Sequence, residues 1–93
     1  MIVACLRVRM HLPGCTSLKQ KRFVLRSLKD RLRGRFNVAI CEYGSQDKWQ
    51  MTDLGIVTVT TDTRGADRAL QALMNFIEKD GRVVLVDIER ETY

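Results

Sequence analysis

The chain is poor in the residues that most plainly announce chemistry: its 93 residues include three cysteines, one histidine, one tryptophan and one proline. Cys5, Cys15 and Cys41 are odd in number and form no C-x-x-C pair, so no zinc, iron–sulfur or disulfide framework follows from them. They read as reduced thiols of a cytosolic protein, so a cytoplasmic location is expected. His11 stands alone, with no Ser/His/Asp or Cys/His set to be assembled around it. If Cys5 and His11 share a strand, about 20 Å separates them, too far to hold one ion. Neither G-x-x-x-x-G-K-S/T nor G-x-G-x-x-G occurs. No catalytic residue, metal site or cofactor is therefore expected, and the chain reads as a non-enzyme. Long apolar runs are missing too. In MIVACLRVRM the apolar stretch is broken by Arg7 and Arg9, leaving neither a signal peptide nor a membrane span.

Acids are scarce where bases are dense. Residues 1–36 hold ten basic residues and one acid, net +9, whereas residues 37–93 hold six basic and ten acidic, net −4. Such asymmetry implies a positive face for an anionic partner, or a contact between unlike surfaces of two copies. A chain this short makes one domain, residues 1–93, and a homodimer would usefully cover more of its surface.

From Ile2 to Leu12 apolar residues alternate, with Arg7, Arg9 and His11 on the second face, until Pro13-Gly14 ends the strand. Ser17-Leu18-Lys19-Gln20 fits a capping box, with Ser17 as N-cap and Gln20 three residues on. Leu18, Leu25, Leu28 and Leu32 then share one helical side with Val24 at its margin, and Gly34 is the expected C-cap. Phe36, Val38 and Ile40 mark a second strand. Gly44-Ser45-Gln46-Asp47 connects to a third, from Met51 to Thr61. Asp62 or Thr63 caps a second helix with the stripe Ala66, Ala69, Leu70, Leu73 and Ile77, which Gly81 ends. Val84, Val86 and Ile88 mark a final strand, with Asp87, Glu89 and Glu91 on its other face.

The order β-α-β-β-α-β predicts an α+β, ferredoxin-like fold: an antiparallel four-stranded sheet ordered 4-1-3-2, with two helices on one face. Strand 4 then lies beside strand 1, and Arg7 and Arg9 are expected to oppose acids among Asp87, Glu89 and Glu91. Cys5 and Cys41 fall on strands about 10 Å apart, beyond disulfide reach.

On the first helix, Arg22, Arg26, Lys29 and Arg33 follow one another at helical spacing and form a continuous ridge, with Lys19 near its start. Charge runs of this kind are often solvated faces whose stems shield the core edge. Here Asp30 alone cannot neutralise the ridge, and like charges one turn apart repel. The ridge is therefore the candidate surface for nucleic acid or another anion, the alternatives being plain solvation or an acidic protein. RNA suits the architecture, since phosphate contacts need no sequence readout. The first strand lacks the aromatic pattern of an RNA-recognition motif. The helix start, with the backbone N–H groups of Leu18 and Lys19 beside Lys19, Lys21 or Arg22, is a weaker candidate for one small anion. Lys21 falls in the apolar sector, so its stem is expected on the core edge with the ammonium turned outward. Phe23, opposite the stripe, and Asp47, Trp49 and Gln50 in the polar connection are candidate interface residues. For Trp49 and Asp47 the bland reading is an indole covering the sheet end and a carboxylate bonding local backbone.

The stretches LRVRMHLPGCTSLKQKRFVLRSLKDRLRGRFNVAICE, QDKWQ, LGIVTVTTD and VVLVDIERE resemble the YlxP-like family of short bacterial proteins of uncharacterised function. The resemblance implies a ferredoxin-like fold. It also implies genes that neighbour those for transcription elongation, translation initiation and ribosome maturation. Carried over by position, the family-like polar residues are Ser17, Lys19, Lys21, Arg22, Asn37, Gln46, Asp47, Trp49 and Gln50. The resulting expectation is an RNA- or ribosome-associated binding protein, with a structural or regulatory adaptor as the alternative.

Overall fold

In the computed structural model, which describes residues 1–93, the alternating N-terminal segment forms β1 (Ile2–His11). Its inward side chains Ala4, Leu6, Val8 and Met10, with Leu12 just beyond, are fully buried. There follow α1 (Leu18–Arg35), β2 (Ala39–Gly44), β3 (Met51–Thr60), α2 (Thr63–Glu78) and β4 (Val84–Thr92). The sheet order is β2-β3-β1-β4 with every neighbouring pair antiparallel, which is the expected order read from the other edge. The fold is thus ferredoxin-like. Leu25, Leu28 and Leu32 of α1 and Ala66, Leu70, Leu73 and Ile77 of α2 join the inward residues of β1 and β3 in one core. Each Leu or Ile removed from water there contributes roughly 1.5–3 kcal/mol relative to exposure.

The helix starts follow their caps. Ser17 is extended, and the Gln20 N–H donates to its Oγ at 3.2 Å. Gln20 Oε1 returns the favour one residue earlier than a standard capping box, accepting from the Thr16 N–H and hydroxyl at 2.6 and 2.8 Å. Asp62 caps α2 by accepting from the Gly65 N–H at 2.7 Å. The helix ends differ from expectation. Gly34 has no positive φ and stays inside α1, which runs on to a C-cap at Phe36, whose N–H donates to Leu32 O at 2.8 Å. Phe36 leaves the second strand to begin at Ala39 and packs edge-on against Phe76, centroids 5.6 Å apart. Gly81 likewise lies beyond the C-cap of α2, which is Lys79.

Both edge strands carry a bulge. Glu42 pairs with Leu54 and Gly44 with Asp53, so Tyr43 is the extra residue in β2. In β4, Asp87 pairs with Arg9 and Leu85 with Met10, so Val86 is the extra residue. The face expected of Val84, Val86 and Ile88 is broken by that bulge. Leu85 and Ile88 pack on the core, while Val84 and Val86 are exposed on the open side.

The turn from α2 to β4 is tied to α1 through Asp80, whose carboxylate is buried. It accepts from Arg82 Nε and Nη2 at 2.9 and 2.7 Å, from the Arg82 N–H at 3.0 Å and from Arg31 Nη1 at 3.0 Å. The Arg82 bonds hold its pKa down at about 2, against the opposing effect of burial. Arg82 also donates to Ser27 Oγ at 3.2 Å, so the middle of α1 is braced from this side.

Candidate nucleic-acid interface on the first helix

Lys21 decides how α1 is seated. Its side chain is 2% exposed, and Nζ lies 2.9 Å from Glu42 Oε2 and donates to Ser45 O at 2.5 Å. The ammonium therefore does not reach water, contrary to the sequence expectation. A carboxylate stands on the inward side of β2, and a buried cation takes a partner where one is within reach. Glu42 in turn accepts from the hydroxyl of the fully buried Thr52 at 2.8 Å. The sequence did carry a signal for this pair. Lys21 is the one charge in the apolar sector of the helix, and Glu42 continues the inward phase of Val38 and Ile40.

Ser45 connects the two faces of the sheet end. Its backbone φ is 59°, and its Oγ donates to Asp53 Oδ2 at 2.9 Å on the open side. Gly44 is packed so closely that a Cβ there would stand 2.6 Å from the same carboxylate oxygen. Asp53 also accepts from Arg9 Nε at 2.8 Å, and that bond leads the causes that lower its pKa. Arg9 thus pairs across β3, whereas its register neighbour on β4 is Asp87. Arg7 does engage β4, through Glu89 at 3.5 Å and through Glu91. Tyr93 and then Arg7 hold the Glu91 carboxyl below its ordinary range by hydrogen bonding.

Two further cations of α1 are occupied. Arg31 holds Asp80 and lies 5.2 Å from the Phe76 ring centre, and Arg35 lies 5.9 Å from the same ring. Lys19, Arg22, Arg26 and Lys29 have no carboxylate within 4.0 Å, and Arg33 only just reaches Asp30 at 4.0 Å. Arg22, Arg26, Lys29 and Arg33 line one groove of about 310 Å³ together with two acids, Asp30 and Glu42, the second of them already taken by Lys21. The structure therefore brings these four together and leaves Lys19 one flank over, beside Phe23.

The polar connection is partly a staple. The Leu12 N–H donates to Gln50 O at 2.9 Å, and Gln50 Nε2 donates to Cys15 O at 3.1 Å and Pro13 O at 3.4 Å. Gln50 thus ties this connection to the turn before α1. Asp47 is exposed and makes no side-chain hydrogen bond, in contrast to the local bonding expected of it, and Trp49 is half-exposed. Asn37 offers its carbonyl to the Thr58 hydroxyl at 2.7 Å. All three thiols are free, and no helix is long and apolar enough to cross a membrane.

Comparison with known proteins gives two likenesses. The family described as "Protein of unknown function (DUF503)" matches residues 3–90. Over 62 residues the chain is 42% identical to the uncharacterized protein YlxP of Bacillus subtilis (strain 168), a stretch spanning 67% of each chain.

The buried pair yields a stability prediction. Lys21→Met leaves Glu42 without its counter-charge and is expected to cost about 3 kcal/mol. Lys21→Met combined with Glu42→Met should recover most of that loss. Urea unfolding of the variants measures both. A single-variant cost below about 1 kcal/mol, the level of a solvated surface pair, would contradict the seat assigned to Lys21.

Proposed function

The chain belongs to the DUF503 family of YlxP-like proteins, and on that premise we propose a non-enzymatic, RNA- or ribosome-associated binding protein that uses the outer face of α1. The observation that carries this reading is the excess charge of Lys19, Arg22, Arg26, Lys29 and Arg33, which have Asp30 as their one free acid because Lys21 has already neutralised Glu42. Unpaired cations in a row repel one another along the helix. A phosphate backbone relieves that repulsion and releases its own counterions on binding. The ridge from Arg22 to Arg33 is about 16 Å long at 1.5 Å per residue, room for a short run of phosphates. The open sheet face is a poor alternative for a polyanion, because Arg7 and Arg9 are already held by carboxylates.

Anisotropy of a labelled single-stranded RNA at several salt concentrations tests the ridge. Log affinity should fall linearly with log salt, at about 0.7 per phosphate contact. Changing Arg22, Arg26, Lys29 and Arg33 together to Gln should reduce that slope by up to about 3. An unchanged slope would rule the ridge out. Capture of a nuclease-resistant acidic protein in place of RNA would favour the adaptor reading.

We also propose that the open sheet face meets a second copy. Tyr43, Val57, Val59, Val84 and Val86 are exposed there. Both edge strands are bulged, which disfavours pairing edge to edge. Four strands about 4.8 Å apart, three of them about 30 Å long and β2 about 20 Å, offer roughly 550 Å² per copy, close to the lower bound of a standard interface. Sedimentation equilibrium should return twice the 10.7 kDa of one chain. Val57→Asp with Val59→Asp should halve the mass; a monomeric wild type at tens of micromolar would refute the dimer.

A further inference from the structure

Phe23 is 71% exposed, more than any other large apolar side chain within a helix or strand. At 100° per residue it stands about 40° from Lys19 and about 60° from Arg26, on the crest of α1 away from the core. One flank of that crest is the groove of Arg22, Arg26, Lys29 and Arg33. The other flank is a hollow of about 590 Å³ with a mostly apolar surface, lined by Phe23 itself with Pro13, Cys15 and Val24 and bordered by Lys19, Gln20 and Arg82. A Cβ on Gly14 would meet nothing within 4 Å, so the turn leaves that side of the hollow open. An aromatic ring is thus held in water between a row of free cations and an open apolar hollow, with no packing role of its own.

We propose that Phe23 is a stacking platform for an unpaired base of single-stranded RNA whose phosphates follow the ridge, with the hollow receiving the far side of that base. The assignment rests on the RNA reading of the ridge. In a duplex the base faces are covered by their neighbours, and a ring on a helix crest would meet only sugar and phosphate. In a single strand an unstacked base has a free π-face, and the cations one turn before and one turn after the ring, Lys19 and Arg26, hold the backbone that carries it. A largely apolar lining reads shape more than hydrogen-bonding pattern. The platform therefore selects single-stranded over double-stranded RNA and tolerates any base.

The test compares wild type, Phe23→Ala, Phe23→Leu and Phe23→Trp on a labelled single-stranded RNA and on a duplex of the same length. Phe23→Ala should weaken single-strand binding about 5- to 150-fold, the range for loss of one stacked base. Duplex affinity should change by less than about twofold, since the phosphate contacts are intact. The salt slope should stay at the wild-type value for the same reason. Phe23→Trp should bind as wild type, and Phe23→Leu, which keeps apolar bulk without a π-face, should resemble Phe23→Ala. A 2-aminopurine in the single strand should be quenched by wild type and not by Phe23→Ala. Equal loss on both RNAs, full binding by Phe23→Leu, or an unaffected Phe23→Ala would overturn the platform while leaving the ridge standing. Absence of any salt-dependent RNA binding by wild type would instead remove the ridge reading, and the platform with it.

Discussion

The ammonium of Lys21 is the constraint around which the helix end of the molecule is arranged. A charge removed from water needs a counter-charge and filled hydrogen-bond positions, or the group loses its proton or the element moves. Glu42 and the Ser45 carbonyl supply both at 2.9 and 2.5 Å. Presenting that carbonyl accompanies a left-handed Ser45, and the chain beside it passes so close to Asp53 that a Cβ at 44 would displace its carboxylate. Asp53 then draws Arg9 across the sheet. One buried cation thereby links the start of α1, the bulged end of β2 and the open face of the sheet.

The same pair sets the charge of the outer surface. Two carboxylates, Asp30 and Glu42, line the groove beside α1, and Glu42 is already neutralised from within. Arg31 and Arg35 are drawn to the opposite side by Asp80 and Phe76. Of the eight cations on α1, three therefore serve the fold and five face outward with Asp30 as their sole close acid. That division favours a polyanionic partner on physical grounds. A structural pairing for the remaining five would have needed acids that residues 37–93 place elsewhere.

The architecture was legible because its two periods are clean. Ile2 to Leu12 alternates without a break, and the leucines of α1 recur at helical spacing. Element ends were less legible where a tertiary contact overrode local chemistry: Gly34 stays helical because Phe36 finds Phe76 and caps the helix two residues later. The bulges at Tyr43 and Val86 were not legible, because an inserted residue leaves composition unchanged and shows only as a shift of phase. For the candidate site, the ridge could be read from spacing alone. Its separation from Lys21 required knowing that Glu42, twenty-one residues later, reaches the same buried position.

One cation of α1 belongs to the core, and the outward five are the proposed binding face. Backbone amide NMR shifts during titration with a short single-stranded RNA test it most directly. Perturbations should cluster along the outer residues of 19–33 and the turn at Gly14, while the open-face residues of β1 and β3 stay in place. Perturbations centred on the open sheet face, or none at saturating RNA, would contradict it.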